Sequence, residues 1–274
     1  MKNKIVIKLG GSSLDHPATL RELIALVQVY REQNSDVVLV HGGGPAINQA
    51  LTAKGIAWKF IQGQRQTTPE MMGVIEEVLG KQINGSLVKS LTKAGVPAVG
   101  LSGANDSILF CVASDPELMR VGYVEQVDTR AILSVLDRSD SATAVIAPIG
   151  LGRDGDKMNV NADWAATQIA IALNASRLIF LTDQNGILDQ NRRLLTTASP
   201  RKLEQMIESG VISGGMRTKV LAMIKALHSG VGQICVLHAS SASRLTVFKK
   251  VGTLLKLDQR LKRKFPEVFH GKAS

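Results

Sequence analysis

Aromatic residues make up only 4% of this 274-residue chain: six Phe, two Trp and two Tyr. That scarcity argues against stacking platforms for single-stranded nucleic acid. Cysteine is rarer still: Cys111 and Cys235 stand far apart without a CxxC partner and read as reduced, buried thiols of a cytoplasmic protein. No apolar stretch approaches the roughly 18 residues of a membrane span, and the apolar run in MKNKIVIKLGG is too short for a secretory signal. Two familiar phosphate motifs are also missing. There is no GxxxxGK[ST], and Gly42 and Gly44 lack a third glycine at 47, which is Ile47.

What is present is an ordinary globular composition, 45% hydrophobic and 20% charged, with a formal net charge of +10. The charge is local. Residues 249–274 carry eight Lys or Arg against Asp258 and Glu267, a net +6 that leaves +4 for residues 1–248. A mildly basic body makes a nucleic-acid partner unlikely on charge grounds.

Short, nearly continuous apolar runs at 5–9, 36–40, 97–101, 143–149, 177–182 and 233–238 suit parallel strands covered on both faces. Helical stripes alternate with them at 17–33, 69–93, 161–173 and 216–228. The alternation predicts an α/β fold with a doubly wound, mainly parallel central sheet sandwiched by helices. Residues 107–127, two alternating runs around Asp115 and Pro116, predict an antiparallel β-hairpin excursion. The weakest boundary falls near Asn174–Arg177, which suggests two lobes sharing one sheet.

KLGGSSL (8–14) follows the first strand and HGGGPAIN (41–48) the second, both ahead of helices. Ligands of open α/β sheets sit at that edge, and glycine lets backbone amides meet a phosphate without a Cβ between them. Lys8 in its apolar strand is costly to bury unless its ammonium meets an anion or water. In MNVNADWAA (158–166) a helix cap needs only one of Asn159, Asn161 and Asp163, which leaves Asn159 and Asp163 for other contacts. In SGGMRTKVLAMIKAL (213–227), Lys219 near a helix start opposes the macrodipole unless a polyphosphate binds there. Arg65 offers the bidentate geometry that carboxylates prefer.

Together KLGG (8–11), VHGGGP (40–45), GQR.TT (63–68), GLSG (100–103), MNVNAD (158–163), LTD..GILD (181–189) and GGM..K (214–219) resemble the amino-acid kinase family, from about Lys4 to Thr253. The resemblance implies that family's fold and ATP-dependent phosphorylation of the side-chain carboxylate of N-acetyl-L-glutamate, in arginine biosynthesis. By that likeness Lys8 and Lys219 hold the phosphoryl group in flight and Asp163 orients both lysines. Gly43, Gly44, Arg65 and Asn159 would bind the amino-acid substrate and transition state. Gly10, Gly11, Thr182, Asp183, Gly186, Ile187, Leu188, Gly214, Gly215 and Met216 would serve the nucleotide and its phosphates. Mg²⁺ would arrive on ATP, with no side chain assigned to a metal. Residues 1–175 would form an amino-acid-binding and dimerisation lobe, 176–253 an ATP lobe, and 254–274 a basic extension.

This chemistry suits the residues. Phosphoryl transfer asks for alignment and charge stabilisation, and a carboxylate with a pKa of about 4.3 needs no general base. His41 is accordingly read as structural. Ala104, Asn105 and Asp106 stand where the family pattern leads one to expect a basic residue after GLSG. Only three residues precede Lys4, so the N-terminal helix of arginine-inhibited relatives is not expected and a homodimer is favoured over a hexamer. Leu254, Leu257, Leu261 and Phe265 predict a C-terminal helical stripe ending at Pro266. Three alternatives stay open: another carboxylate acceptor, such as a carrier-linked aminoadipate; a non-catalytic amino-acid or nucleotide sensor; and nucleic-acid binding through the basic residues 249–274. NVNAD favours the first reading over the carrier-linked relatives, which tend to have NTDGD there.

Overall fold

The structure, a computed structural model, describes residues 2–13, 16–61, 63–246 and 251–256. Six strands carry the scaffold: β1 (Asn3–Leu9), β2 (Ser35–His41), β5 (Ala98–Ser102), β8 (Thr143–Ala147), β11 (Arg177–Thr182) and β13 (Gln233–His238). They run in parallel in the order β13-β11-β1-β2-β8-β5. The edge beside β13 is finished by β14 (Thr253–Leu255), antiparallel to it, and by β12 (Thr197–Ala198). One sheet of eight strands therefore crosses the expected boundary near Asn174–Arg177.

Period-two alternation sorts β1 between the two faces. Ile5, Ile7 and Leu9 join a core with Leu23, Leu26, Leu87 and Leu91, from α1 (Pro17–Glu32) and α4 (Asn84–Lys93). Val6 joins the opposite core with α6 (Ala162–Ala172) and α8 (Gly214–His228). By parity Lys8 faces α6 and α8 too.

Helix α2 (Gly44–Ala53) follows β2, and α3 (Pro69–Glu76) runs into a π-helical segment, Glu77–Ile83, and on into α4. A third apolar cluster joins α2, α3 and this segment to Ala147 and Ile149. Helix α5 (Arg130–Leu136) and α7 (Pro200–Glu208) complete the layers.

The hairpin expected at 107–127 is β6 (Leu109–Ala113) against β7 (Val121–Val127). It belongs to a closed ring of four strands with β9 (Ile149–Gly152) and β10 (Lys157–Val160). The predicted strand 143–149 is thus corrected to two. Pro148 has no N–H to extend the ladder, so β8 ends at Ala147 and the chain turns into the ring. A small hairpin, β3 (Phe60–Ile61) and β4 (Gln64–Arg65), stands ahead of α3.

Two further expectations change. Leu254 lies in β14 rather than on a helical stripe, because this segment supplies the ladder partner that β13 would otherwise lack. The boundary at 253/254 cuts that strand, and Leu257, Leu261, Phe265 and Pro266 lie outside the described residues. The loop Ser102–Asp106 is held by the Asp106 carboxylate, which accepts from the Ser102 amide at 2.6 Å. Cys111 and Cys235 are free and buried, their thiols pushed up to about 12 by desolvation.

Candidate active site

In the ladder Leu9 pairs with His41 on one side and Leu181 on the other. The carboxyl ends of β1, β2 and β11 are therefore level, and the loops after them meet in one place. They line a cavity of about 720 Å³ together with residues of β4, β10 and α8.

At its centre lie Lys8, Asp163 and Lys219, each 7% exposed. Asp163 Oδ1 is 2.9 Å from Lys8 Nζ, and Lys219 Nζ is 3.0 and 2.9 Å from the two carboxylate oxygens. Asn161 makes this possible. It caps α6, its Oδ1 accepting from the amides of Asp163 and Trp164, so Asp163 is released from capping and turns to the lysines. Burial pushes the Asp163 carboxyl up, but the two ammoniums outweigh it and hold the group below the usual carboxylate range. Burial pushes Lys219 down from its ordinary value, opposed by the carboxylate and reinforced by Lys8. Lys219 is the sixth residue of α8, beyond its first turn, with Nζ 5.5 Å from the centre of the Phe180 ring.

The two glycine loops lie back to back. A Cβ on Gly11 would stand 2.8 Å from the Gly43 nitrogen and 2.9 Å from that of Gly44, so only glycine permits this approach. A Cβ on Gly43 would meet Leu79 and Ile83 of the π segment, whereas one on Gly44 would meet nothing within 4 Å. The amides of Gly10 and Gly42 are committed, to Leu181 O at 3.0 Å and Leu9 O at 2.8 Å. Among the described residues no hydrogen bond takes the amides of Gly11, Gly43 or Gly44. Helices α2 and α8 begin at the cavity without a side-chain cap, leaving their positive ends open to an anion.

On the side of β3 and β4, Arg65 is 5% exposed. It is not a surface arginine. Its Nη2 donates to Gly44 O at 3.3 Å, and its guanidinium carbon lies 4.9 and 5.4 Å from the Phe60 and Trp58 ring centres. Its Nη1 is buried without a partner among the described residues, the condition that a ligand carboxylate would relieve. Asn159 donates from Nδ2 to Thr67 Oγ1 at 3.0 Å, and that hydroxyl donates to Arg65 O at 2.9 Å. Thr67, fully buried, thus ties Arg65 to Asn159; its only sequence signal was its place in GQRQTT.

On the opposite side the cavity is lined by Thr182, Asp183, Gly186, Ile187, Leu188, Ile212, Gly215 and Met216. Thr253 from β14 supports this wall. Its hydroxyl accepts from the Ile187 amide at 2.8 Å and donates to Leu195 O at 2.5 Å. Gly214 does not line the cavity; it opens α8 at a φ of 54°. The remaining sequence candidates line it, although Gly10 does so with its amide already used.

Two converging ammoniums, three uncommitted amides and two open helix ends define an α/β enzyme that handles phosphate. Residues 3–238 match the profile of the Amino acid kinase family, and the chain belongs to that family. The acetylglutamate kinase of Geobacillus kaustophilus is 38% identical over 263 residues, 93% of this chain and 100% of that protein. That of Cereibacter sphaeroides is 34% identical over 251 residues, 90% of this chain and 85% of that protein. A crystal structure from Streptococcus mutans superimposes with a TM-score of 0.82 at 28% identity, covering 94% of this chain and all of that one. No helix among the described residues is long and apolar enough to cross a membrane.

Proposed function

We propose that this protein transfers the terminal phosphoryl group of ATP to the side-chain carboxylate of N-acetyl-L-glutamate, a step of arginine biosynthesis. The observation that carries the reading is Lys8–Asp163–Lys219, set between an arginine with a buried nitrogen unpaired among the described residues and a wall of apolar and glycine residues.

Arg65 Nη1 binds the α-carboxylate of the acceptor, and Asn159, held by Thr67, fixes its orientation. ATP lies along Thr182–Leu188 and Gly215–Met216, with its phosphates turned toward the start of α8. The moving phosphoryl group passes between the lysines and the amides of Gly11, Gly43 and Gly44. Preorganised donors of this kind stabilise charge without reorganising during reaction. Asp163 acts as a brace. Its carboxyl lies below the usual range, so it is ionised at neutral pH and keeps two like-charged ammoniums close together. Mg²⁺ enters on the nucleotide, a mode that uses phosphates and one or two carboxylates rather than a protein cage. Asp183, exposed at the cavity wall, is a carboxylate the hydrated ion can meet.

Residues 1–175 serve as the acceptor lobe and 176–253 as the nucleotide lobe of one cytoplasmic, homodimeric domain. A hydroxamate assay with ATP tests the acceptor. Turnover of N-acetylglutamate is expected, and turnover of an aminoadipate derivative in its place would reassign the substrate.

A further inference from the structure

His41 and Asn84 lie behind the glycine loop, and neither lines the cavity. His41 ends β2, is fully buried, and directly precedes Gly42. Its Nδ1 lies 3.0 Å from Gly42 O, and its Nε2 lies 3.3 Å from Asn84 Nδ2. Asn84, 4% exposed, begins α4 where the π segment ends. Its Nδ2 also faces Val145 O at 2.9 Å and Leu101 O at 3.4 Å.

These contacts leave one protonation pattern. Backbone carbonyls only accept, so the Asn84 NH₂ must face Val145 and Leu101. That same NH₂ faces His41 Nε2, its two hydrogens shared among three acceptors. An amide NH₂ accepts no hydrogen bond, so a protonated Nε2 would meet only donors there; Nε2 therefore carries no proton. The single ring proton sits on Nδ1 and is donated to Gly42 O. An imidazolium would set two donors against each other, and burial, only partly opposed by the Gly42 carbonyl, pushes His41 down to about 4.

The consequence follows from the planarity of the peptide unit. The Gly42 carbonyl and the Gly43 N–H belong to one trans peptide, so they point in opposite directions from a rigid plane. Holding the carbonyl aims the amide. The Gly42 N–H is held on its own side by Leu9 O, and Leu79 and Ile83 of the π segment press against Gly43. The groups on either side of this peptide are held, the Gly42 N–H by Leu9 O and Gly43 O by the Ile47 amide, so a rotation of this peptide is the change that would turn the Gly43 amide away from the cavity.

We infer that His41, locked in its Nδ1-protonated form by Asn84, is a positioning residue that aims the Gly43 amide at the transferring phosphoryl group. It acts through the backbone and never touches the substrates. The inference rests on the phosphoryl-transfer reading above, and its tests are separable from that reading.

In the wild-type protein, long-range ¹H–¹⁵N spectra of labelled histidine should show His41 protonated on Nδ1; protonation on Nε2 would overturn the inference. His41→Leu fills similar space but cannot donate. A misaimed group of this kind costs on the order of 10²-fold in rate, so kcat should fall by ~10–100-fold with both KM values within about threefold. His41→Asn places an amide N–H near the former Nδ1 and should recover most of that loss. A folded His41→Leu protein with kcat within threefold of wild type, or His41→Asn no better than His41→Leu, would refute it. If His41→Leu does not fold, the tautomer and the kcat of His41→Asn against wild type decide. Absence of any wild-type turnover would sink the reading of the reaction, while the tautomer still tests the anchor.

Discussion

Gly44→Ala should raise stability and lower activity at once. Gly44 opens α2, its φ lies outside the left-handed region, and a Cβ there meets no atom within 4 Å. Alanine is thus accommodated without strain, and the unfolded chain loses freedom. Substitutions of this kind stabilise by about 0.4–1 kcal/mol, which in a chain of this size lifts Tm by roughly 1–4 °C. The new methyl group stands beside an uncommitted amide on the cavity wall, where the proposed reaction brings a phosphate oxygen. Loss of one such donor costs about 10²–10³ in kcat. Gly11→Ala is the contrast. Its Cβ would lie 2.8 and 2.9 Å from backbone nitrogens of the facing loop, which cannot swing aside like a side-chain tip. Overpacking of this kind costs about 1–3 kcal/mol, so that variant should lose stability along with activity. Differential scanning calorimetry and coupled ADP release measure the two effects. A Gly44→Ala protein with kcat within threefold of wild type, or with Tm several degrees lower, would refute the account of which glycine faces ligand and which faces protein.

Four shorter expectations follow from the same geometry. Arg65→Lys should raise KM for the amino acid by about 10-fold or more while sparing KM for ATP, because an ammonium cannot reproduce both the Gly44 contact and the free Nη1; equal effects on both constants would contradict it. Asp163→Asn strands two buried ammoniums and should cost about 3–5 kcal/mol in urea unfolding, part of it restored by inorganic phosphate; no restoration would count against the anion site. Since the folded Asp163 carboxyl is depressed, its stabilisation is complete above its unfolded value of about 3.9 and is lost as pH falls below that value. A wild-type acid-unfolding slope below pH 4 no steeper than that of Asp163→Asn would disprove this. Thr253→Val leaves the Ile187 amide and Leu195 carbonyl unpaired, and should raise KM for ATP without changing KM for the acceptor.

Much of the architecture was legible because its signals are local. β11 and β13 occupy the predicted residues 177–182 and 233–238, since apolar β-branched runs buried on both faces leave little ambiguity. Helix 69–93 was equally plain as a stripe, but its π segment was not, because apolar residues still recur every three or four positions through it, at Ile75, Val78, Leu79, Ile83 and Leu87. The four-strand ring was missed for a different reason. Its closure depends on β6 pairing with β9 and β7 with β10, long-range choices that no single run encodes. β14 was missed because Thr253–Leu255 is too short to alternate and gains its identity only from the open edge of β13.

The candidate site divides along the same line. Charged residues out of place in apolar surroundings announce themselves, as Lys8 did inside IVIKL. Parity then explains why Lys8 must face α6 and α8, where Asp163 and Lys219 wait. Sequence cannot reveal which donors are already spent. Gly10, Gly11, Gly42, Gly43 and Gly44 look alike in a string of letters, yet two of their amides close the ends of β1 and β2 and three remain free among the described residues. The free set is decided by neighbours such as Leu181 O and Leu9 O, which come from register rather than motif. A glycine loop is therefore better judged by the acceptors around it than by its count of glycines. By that measure the proposed working surface is the Gly11–Gly43–Gly44 face, set across from the two lysines that Asp163 holds together.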